Sequence, residues 1–163
     1  MKKKIFIVGA LLLAVCITIS AVSADNGFKF SFSSSDSSNS NGDSIKFDNG
    51  KLVIQGIEFT IPEGYKEVEK DKVLGANDNT TPGFKVSSDT FEKGNDKIIV
   101  KVFYSDNSEA NYTPDKNSTE KTLSNQAGWF IQGSDGVVFD YIKDKKLIEI
   151  IAPDEKTLVS IIK

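Results

Sequence analysis

The chain reads as an α+β domain, an antiparallel sheet with a C-terminal helix packed on it, and three observations carry that expectation. Residues 137–141 and 147–151 are two runs rich in β-branched and aromatic side chains around a short charged turn from Lys143 to Lys146, the pattern of a hairpin. Pro153 stops the second run; Asp154 is placed to cap a helix with its carboxylate, and Glu155 suits the positive end of the helix dipole. Leu158, Ile161 and Ile162 then recur at helical spacing, so one face of that helix has to be buried, most simply on the strands just before it.

Taken from its start, the chain opens with Lys2, Lys3 and Lys4, an apolar run from Ile5 to about Ile19, and Ser20-Ala21-Val22-Ser23-Ala24. A basic n-region, an apolar h-region and a small residue at the cut site predict a secretory signal peptide over 1–24, cleaved after Ala24. The alternative is an uncleaved anchor of roughly 20 residues, enough to span a bilayer. Either way the remainder faces outward and is placed outside the cell or in its envelope, touching the membrane only through this segment. Cys16, the single cysteine, lies within the h-region, so the exported part has no disulfide and relies on its core. Residues 25–44 are dominated by Ser, Asn, Asp and Gly and read as a flexible linker. Phe28, Phe30 and Phe32 interrupt it as a period-2 strip, placed either to pair with the chain's own domain or to add a strand to another sheet.

The single folded domain is expected over 45–163. Asp48-Asn49-Gly50 supplies the positive φ angles of a tight hairpin between residues 45–47 and 51–54. Ile57, Phe59 and Ile61 alternate with Glu58 and Thr60 as a half-buried strand, and Ile61-Pro62-Glu63-Gly64 suits a type I turn with glycine at its fourth position. Residues 66–82 read as a long polar surface loop. Residues 84–91 and 98–104 are predicted as a strand pair, the second covered on both sides for part of its length. Weaker strands follow at 121–125 and 127–132, and Gly133-Ser134-Asp135-Gly136 turns the chain into the closing hairpin.

Composition removes several chemistries. The sequence has no histidine, and all 20 basic residues are lysine. With the three leading lysines gone, 17 lysines face 23 acidic residues, a net charge of −6, which argues against nucleic acid or anionic lipid as a partner. No Ser-His-Asp or Cys-His triad and no His- or thiolate-bound zinc can be built in the exported part, and no nucleotide motif is present. No cofactor and no enzymatic activity are therefore expected. Carboxylate chemistry or a Ser-Lys pair survives on paper, the former at Glu58, Glu63, Glu67, Asp140 and Glu149; the plain structural reading is an outward strand position for Glu58, a turn for Glu63, and a lysine partner across a hairpin for Asp140 and Glu149. Acidic turns at residues 48–50, 77–79 and 106–109 raise calcium, without the spaced ligands of an EF-hand loop. Asn79, Asn111 and Asn117 begin Asn-x-Ser/Thr triplets and are candidate N-glycosylation sites. Trp129, Phe130 and Tyr141 read as core.

Ile57-Glu58-Phe59-Thr60-Ile61-Pro62-Glu63-Gly64-Tyr65, Gly136-Val137-Val138-Phe139-Asp140-Tyr141 and Ile150-Ile151-Ala152-Pro153-Asp154-Glu155 resemble small uncharacterised exported proteins of methanogenic archaea. More loosely, the strand entering an Ile-Pro-x-Gly-Tyr turn and the strand-to-helix ending are similar to the PsbP/Mog1-type α-β-α sandwich. That resemblance implies a protein-binding accessory role, with no functional residue to carry across. The leading expectation is a non-enzymatic envelope module that binds a protein or glycan partner; a small-ligand or calcium-binding protein comes second and a carboxylate hydrolase third.

Overall fold

The computed structural model describes residues 44–163, together with a two-residue strand β1 (Ile7–Val8). The expected leader at 1–24 and linker at 25–44, with the strip at Phe28, Phe30 and Phe32, lie outside the described residues apart from β1 and Ser44.

The main sheet is built from β5 (Lys66–Glu67), β6 (Val73–Asn77), β7 (Lys85–Lys93), β8 (Asp96–Tyr104), β10 (Thr119–Leu123), β11 (Gln126–Gln132), β12 (Val137–Lys143) and β13 (Lys146–Ala152). It runs β10-β11-β12-β13-β8-β7, with β5 and β6 sharing the far side of β7. Every pairing in it is antiparallel. A smaller antiparallel sheet, β2 (Ile45–Asp48), β3 (Lys51–Ile54) and β4 (Ile57–Thr60), forms by successive two-residue hairpins. The two-residue β9 (Tyr112–Thr113) pairs in parallel with β1. One helix, α1 (Glu155–Ile161), closes the chain, and Ile162 beyond it bridges to Phe59 of β4.

Strand register explains the core. Val100, Ile150, Phe139 and Phe130 stand side by side across β8, β13, β12 and β11, as do Val102, Ile148 and Tyr141, so the inner face of the main sheet is apolar over four strands. Leu52, Ile54, Ile57 and Phe59 of the small sheet and Leu158, Ile161 and Ile162 of the helical end close over it in one cluster. Asp154 caps α1 as the sequence predicts: its Oδ1 accepts the Thr157 N–H at 2.8 Å.

The expected α+β class is corrected here. Strands hold 55% of the described residues and helices 8%, with a single α-helix, so this is a predominantly antiparallel β fold. The α-β-α sandwich implied by the PsbP/Mog1 resemblance is corrected with it. The helix is seven residues long, about two turns, too short to make a layer. Its cap and apolar stripe are as the sequence predicts; the layer that covers the inner face is the small sheet, aided by the helix.

A second departure concerns residues 66–82. In place of one surface loop the chain forms β5, a 3-10 turn (Glu69–Asp71) and β6, all along the edge of β7. An edge strand needs apolar side chains on one face only and ends in solvent, so its polar composition resembles a loop.

Candidate functional site

Two turns at the open end of the small sheet are stitched together. The Ile61 N–H donates to the Gly50 carbonyl at 2.7 Å, and a Cβ on Gly50, which has φ +77°, would approach the Ile61 carbonyl to 3.2 Å. The second turn runs one residue later than the sequence suggests. The Tyr65 N–H reaches back to the Pro62 carbonyl (3.4 Å), with Gly64 third in the turn at φ +89°, which is type II geometry and calls for glycine.

Between these turns lies a cleft of about 320 Å³ lined by Phe47, Asn49, Gly50 and the stretch Ile61 to Tyr65. Its rim at Asn49, Glu63 and Gly64 is exposed, while Phe47 and Tyr65 are half-buried walls set against the core. Phe47 rests edge-on against Phe91 of β7, ring centroids 4.8 Å apart. Lys93, at the end of β7, donates to the Glu63 carbonyl (3.1 Å) and holds its ammonium 5.7 Å from the Tyr65 ring centroid, within cation–π range. Burial, then the charges of Asp96 and Asp154, raise the Tyr65 hydroxyl above its ordinary pKa. The cleft thus offers two aromatic walls, an amide and a carboxylate in one open groove, with the Lys93 ammonium beside the Tyr65 ring.

Behind it sits a carboxyl pair, one member half-buried and the other buried. Glu67 lies opposite Phe91 in the register of β5 with β7, and Asp89 is two residues along on the same face, fully buried. The Lys72 ammonium sits on Glu67 Oε1, 3.1 Å from Glu69 and 4.0 Å from Asp89 Oδ2. Asp89 Oδ1 accepts the Thr90 N–H at 2.9 Å. Burial, then the hydrogen bond and charge of Glu67, push the Asp89 carboxyl up to about 7, against the pull of Lys72. Burial works against Glu67 too, but the Lys72 ammonium and hydrogen bonding from Asp89 hold it below the ordinary carboxylate range.

A second buried acid, Asp140, is on the opposite face of the sheet. Tyr112 donates to its Oδ2 at 2.7 Å, while Glu149, directly across in β13, pairs with Lys101 at 2.7 Å. Burial and the Glu149 charge push Asp140 up to about 7.

These positions sort the candidate carboxylates. Glu58 faces out and pairs with Lys51 at 2.6 Å and with Lys163 at 3.7 Å. Glu63 lies on the groove rim, Glu67 in the carboxyl pair, and Asp140 beside Glu149 under Tyr112. Glycoside hydrolysis needs carboxyls about 5 Å or more apart around a substrate. Glu67 and Asp89 instead share one ammonium, that of Lys72, with Asp89 sealed from solvent, and Asp140 is equally enclosed. Among the described residues no group of three or more acidic side chains is disposed to hold a metal ion. In the acidic turns, Asp78 accepts from the Thr80 N–H and hydroxyl, and Glu109 pairs with Lys145. Asn79 and Asn117 are exposed and Asn111 is half-buried. Trp129 is half-buried on the outer face, whereas Phe130 and Tyr141 are core.

Sequence reasoning found the Asn49-Gly50 turn, placed the second turn one residue early and as type I, and missed Asp89, Lys72, Tyr112 and Lys93. No protein-family model matches the sequence, no curated protein is significantly similar to it, and no solved structure matches its fold.

Proposed function

We propose that this chain is a non-enzymatic, exported module of the cell envelope that binds a segment of a larger partner, a glycan in the first instance, in the groove between the Asn49-Gly50 and Glu63-Gly64 turns. The observation that carries this reading is the pairing of two aromatic walls, Phe47 and Tyr65, with an exposed rim of amide, carboxylate and backbone. Sites for whole small molecules enclose most of the ligand surface. A cleft of about 320 Å³ left open along its rim instead suits one or two units of an extended polymer, with the rings covering an apolar face and the rim answering hydroxyl groups. A net charge of −6 for the exported part is compatible with a neutral polymer and unfavourable for a polyanion.

The test is a calorimetric or NMR titration with soluble fragments of the envelope glycan, comparing the natural chain with the double variant Asn49→Gly, Glu63→Ala. Asn49 has φ +48°, which glycine adopts freely, and Glu63 is exposed, so the variant keeps its fold. Saturable binding that weakens at least tenfold in the variant supports the groove. Equal binding by both chains, or none by the natural one, overturns it.

A further inference from the structure

We infer that the Glu67–Asp89 carboxyl pair, clasped by Lys72 behind the groove, is a proton-linked latch that sets how firmly β5 holds the Tyr65 wall. The inference deepens the groove reading and rests on it for its functional meaning, but the latch itself can be measured without any ligand.

The connection runs through adjacent residues. Tyr65 leads directly into β5, which is only two residues long, paired with Phe91 and Glu92 of β7 and extended by the Val68 N–H to the Thr90 carbonyl at 2.8 Å. Phe91, opposite Glu67, carries the edge contact with Phe47, the other wall. Both walls are therefore set by the same few residues of β5 and β7. Such a short strand, carrying few ladder bonds, depends on what its side chains meet.

What Glu67 meets is Asp89. Among the described residues Asp89 Oδ2 has no hydrogen-bond donor, and Lys72 Nζ is 4.0 Å away. Two carboxyls bond to each other only when one holds a proton, so the arrangement is bonded with one proton and repulsive with none. The charged groups around the pair are Glu69 and Lys72 from the turn that follows β5; β8 presents Ile98, Val100 and Val102 to that face, and β2 presents Phe47. With Asp89 neutral, one ammonium serves two carboxylates. With it ionised, the same ammonium faces three, one of them, Asp89, sealed from water.

The sign follows from the shifts. Asp89 is raised to about 7, so its contribution to stability is complete below the ordinary aspartate range and lost as pH rises through 7. Glu67 is lowered and acts oppositely, losing its contribution only as pH falls through its own depressed value. Between these limits the pair titrates as a unit holding one proton. The latch is closed in mildly acid conditions and loosened above neutrality.

Asp89→Asn mimics the protonated state. Its side-chain oxygen still accepts from the Thr90 N–H, and its amide stands where the acid proton would donate to Glu67. The experiment is amide hydrogen exchange by NMR on the full-length chain near pH 5.5 and pH 8.5, expressed as protection factors to remove the intrinsic pH effect, together with carbon NMR titration of the Asp89 carboxyl. The latch predicts that protection at Lys66 and Val68, whose amides face β7, falls at least tenfold more between the two conditions than protection in β12 and β13, where the ionisation of Asp140 sets its own background. It also predicts that Asp89→Asn abolishes the fall, and that the Asp89 carboxyl titrates well above the ordinary aspartate range. Unchanged protection in the natural chain, or an Asp89 midpoint below about 5, overturns it, and the carboxyl titration needs no variant to fold. A latch that titrates in a chain that binds no glycan leaves the latch standing and removes the groove reading alone.

Discussion

Replacing Asp140 by asparagine should make the protein more stable at alkaline pH and leave it nearly unchanged in acid. Asp140 is 1% exposed, its Oδ1 has no hydrogen-bond partner among the described residues, and Glu149 lies directly across the strand pair. Its carboxyl is raised from the ordinary 3.8 to about 7, by burial first and the Glu149 charge second. A raised acid stabilises the fold fully below its unfolded value and loses that contribution as pH climbs through the folded one. Three units correspond to a ceiling of about 4 kcal/mol, reached above neutrality. Asparagine bears no charge at any pH and so removes this loss. Against it, the bond from Tyr112 becomes neutral rather than charge-assisted, a difference of about 1 kcal/mol. The new NH2 group also needs an acceptor, which the Glu149 carboxylate opposite can supply. The net expectation is a gain of about 1–3 kcal/mol near pH 8, and a difference within about 1 kcal/mol near pH 4. Urea unfolding followed by far-UV circular dichroism at both pH values reads it. Trp129 fluorescence is the poorer probe, because Trp129 is the cross-strand neighbour of Asp140 and senses its charge directly. A variant no more stable than the natural chain near pH 8, or a difference that does not change with pH, would refute the reasoning.

Two further substitutions test the packing of the main sheet and the cap of the helix. Gly128→Ala should be severe, because the added Cβ would fall on the Asp140 carbonyl and within 2.7 Å of Phe139 Cζ, in the middle of a paired strand that cannot yield. A loss of at least about 3 kcal/mol is expected, seen as insoluble expression or an early, broad unfolding transition. Asp154→Ala removes the acceptor of the Thr157 N–H and should cost about 1 kcal/mol by the same urea assay; an unchanged midpoint would mean that solvent replaces the cap without loss.

The residues that were legible in the sequence are those whose signal is local. Asn49-Gly50 announces its hairpin through backbone conformation, and Asp154 with Leu158, Ile161 and Ile162 announces the helix through a cap and a stripe within nine residues. That legibility is also what misled the fold class, because a well-marked helix of seven residues weighed as heavily as a layer. The small sheet that is the real second layer was read as three strands with no way to know which face they would cover. Strand pairing joins distant residues, and the chain records it only by alternation. The run from Lys85 to Thr90 does not alternate cleanly, so nothing in it marks Asp89 as inward; of the apolar residues of β7 only Phe91, two residues on, shares its side. Asp140 shows the same limit from the other direction. Its place in an apolar strand was visible and a lysine partner was expected, but the lysine went to Glu149 and a tyrosine from residues 105–118 took Asp140. A polar connection that crosses a sheet face carries no periodicity, so its one bonding side chain is indistinguishable from its neighbours until the fold sets it down. Both buried acids therefore arise where a long-range pairing meets an unpatterned segment, at Glu67 and at Tyr112. The pH response expected of this protein is therefore a consequence of its topology, and moving either segment would change it while leaving the composition untouched.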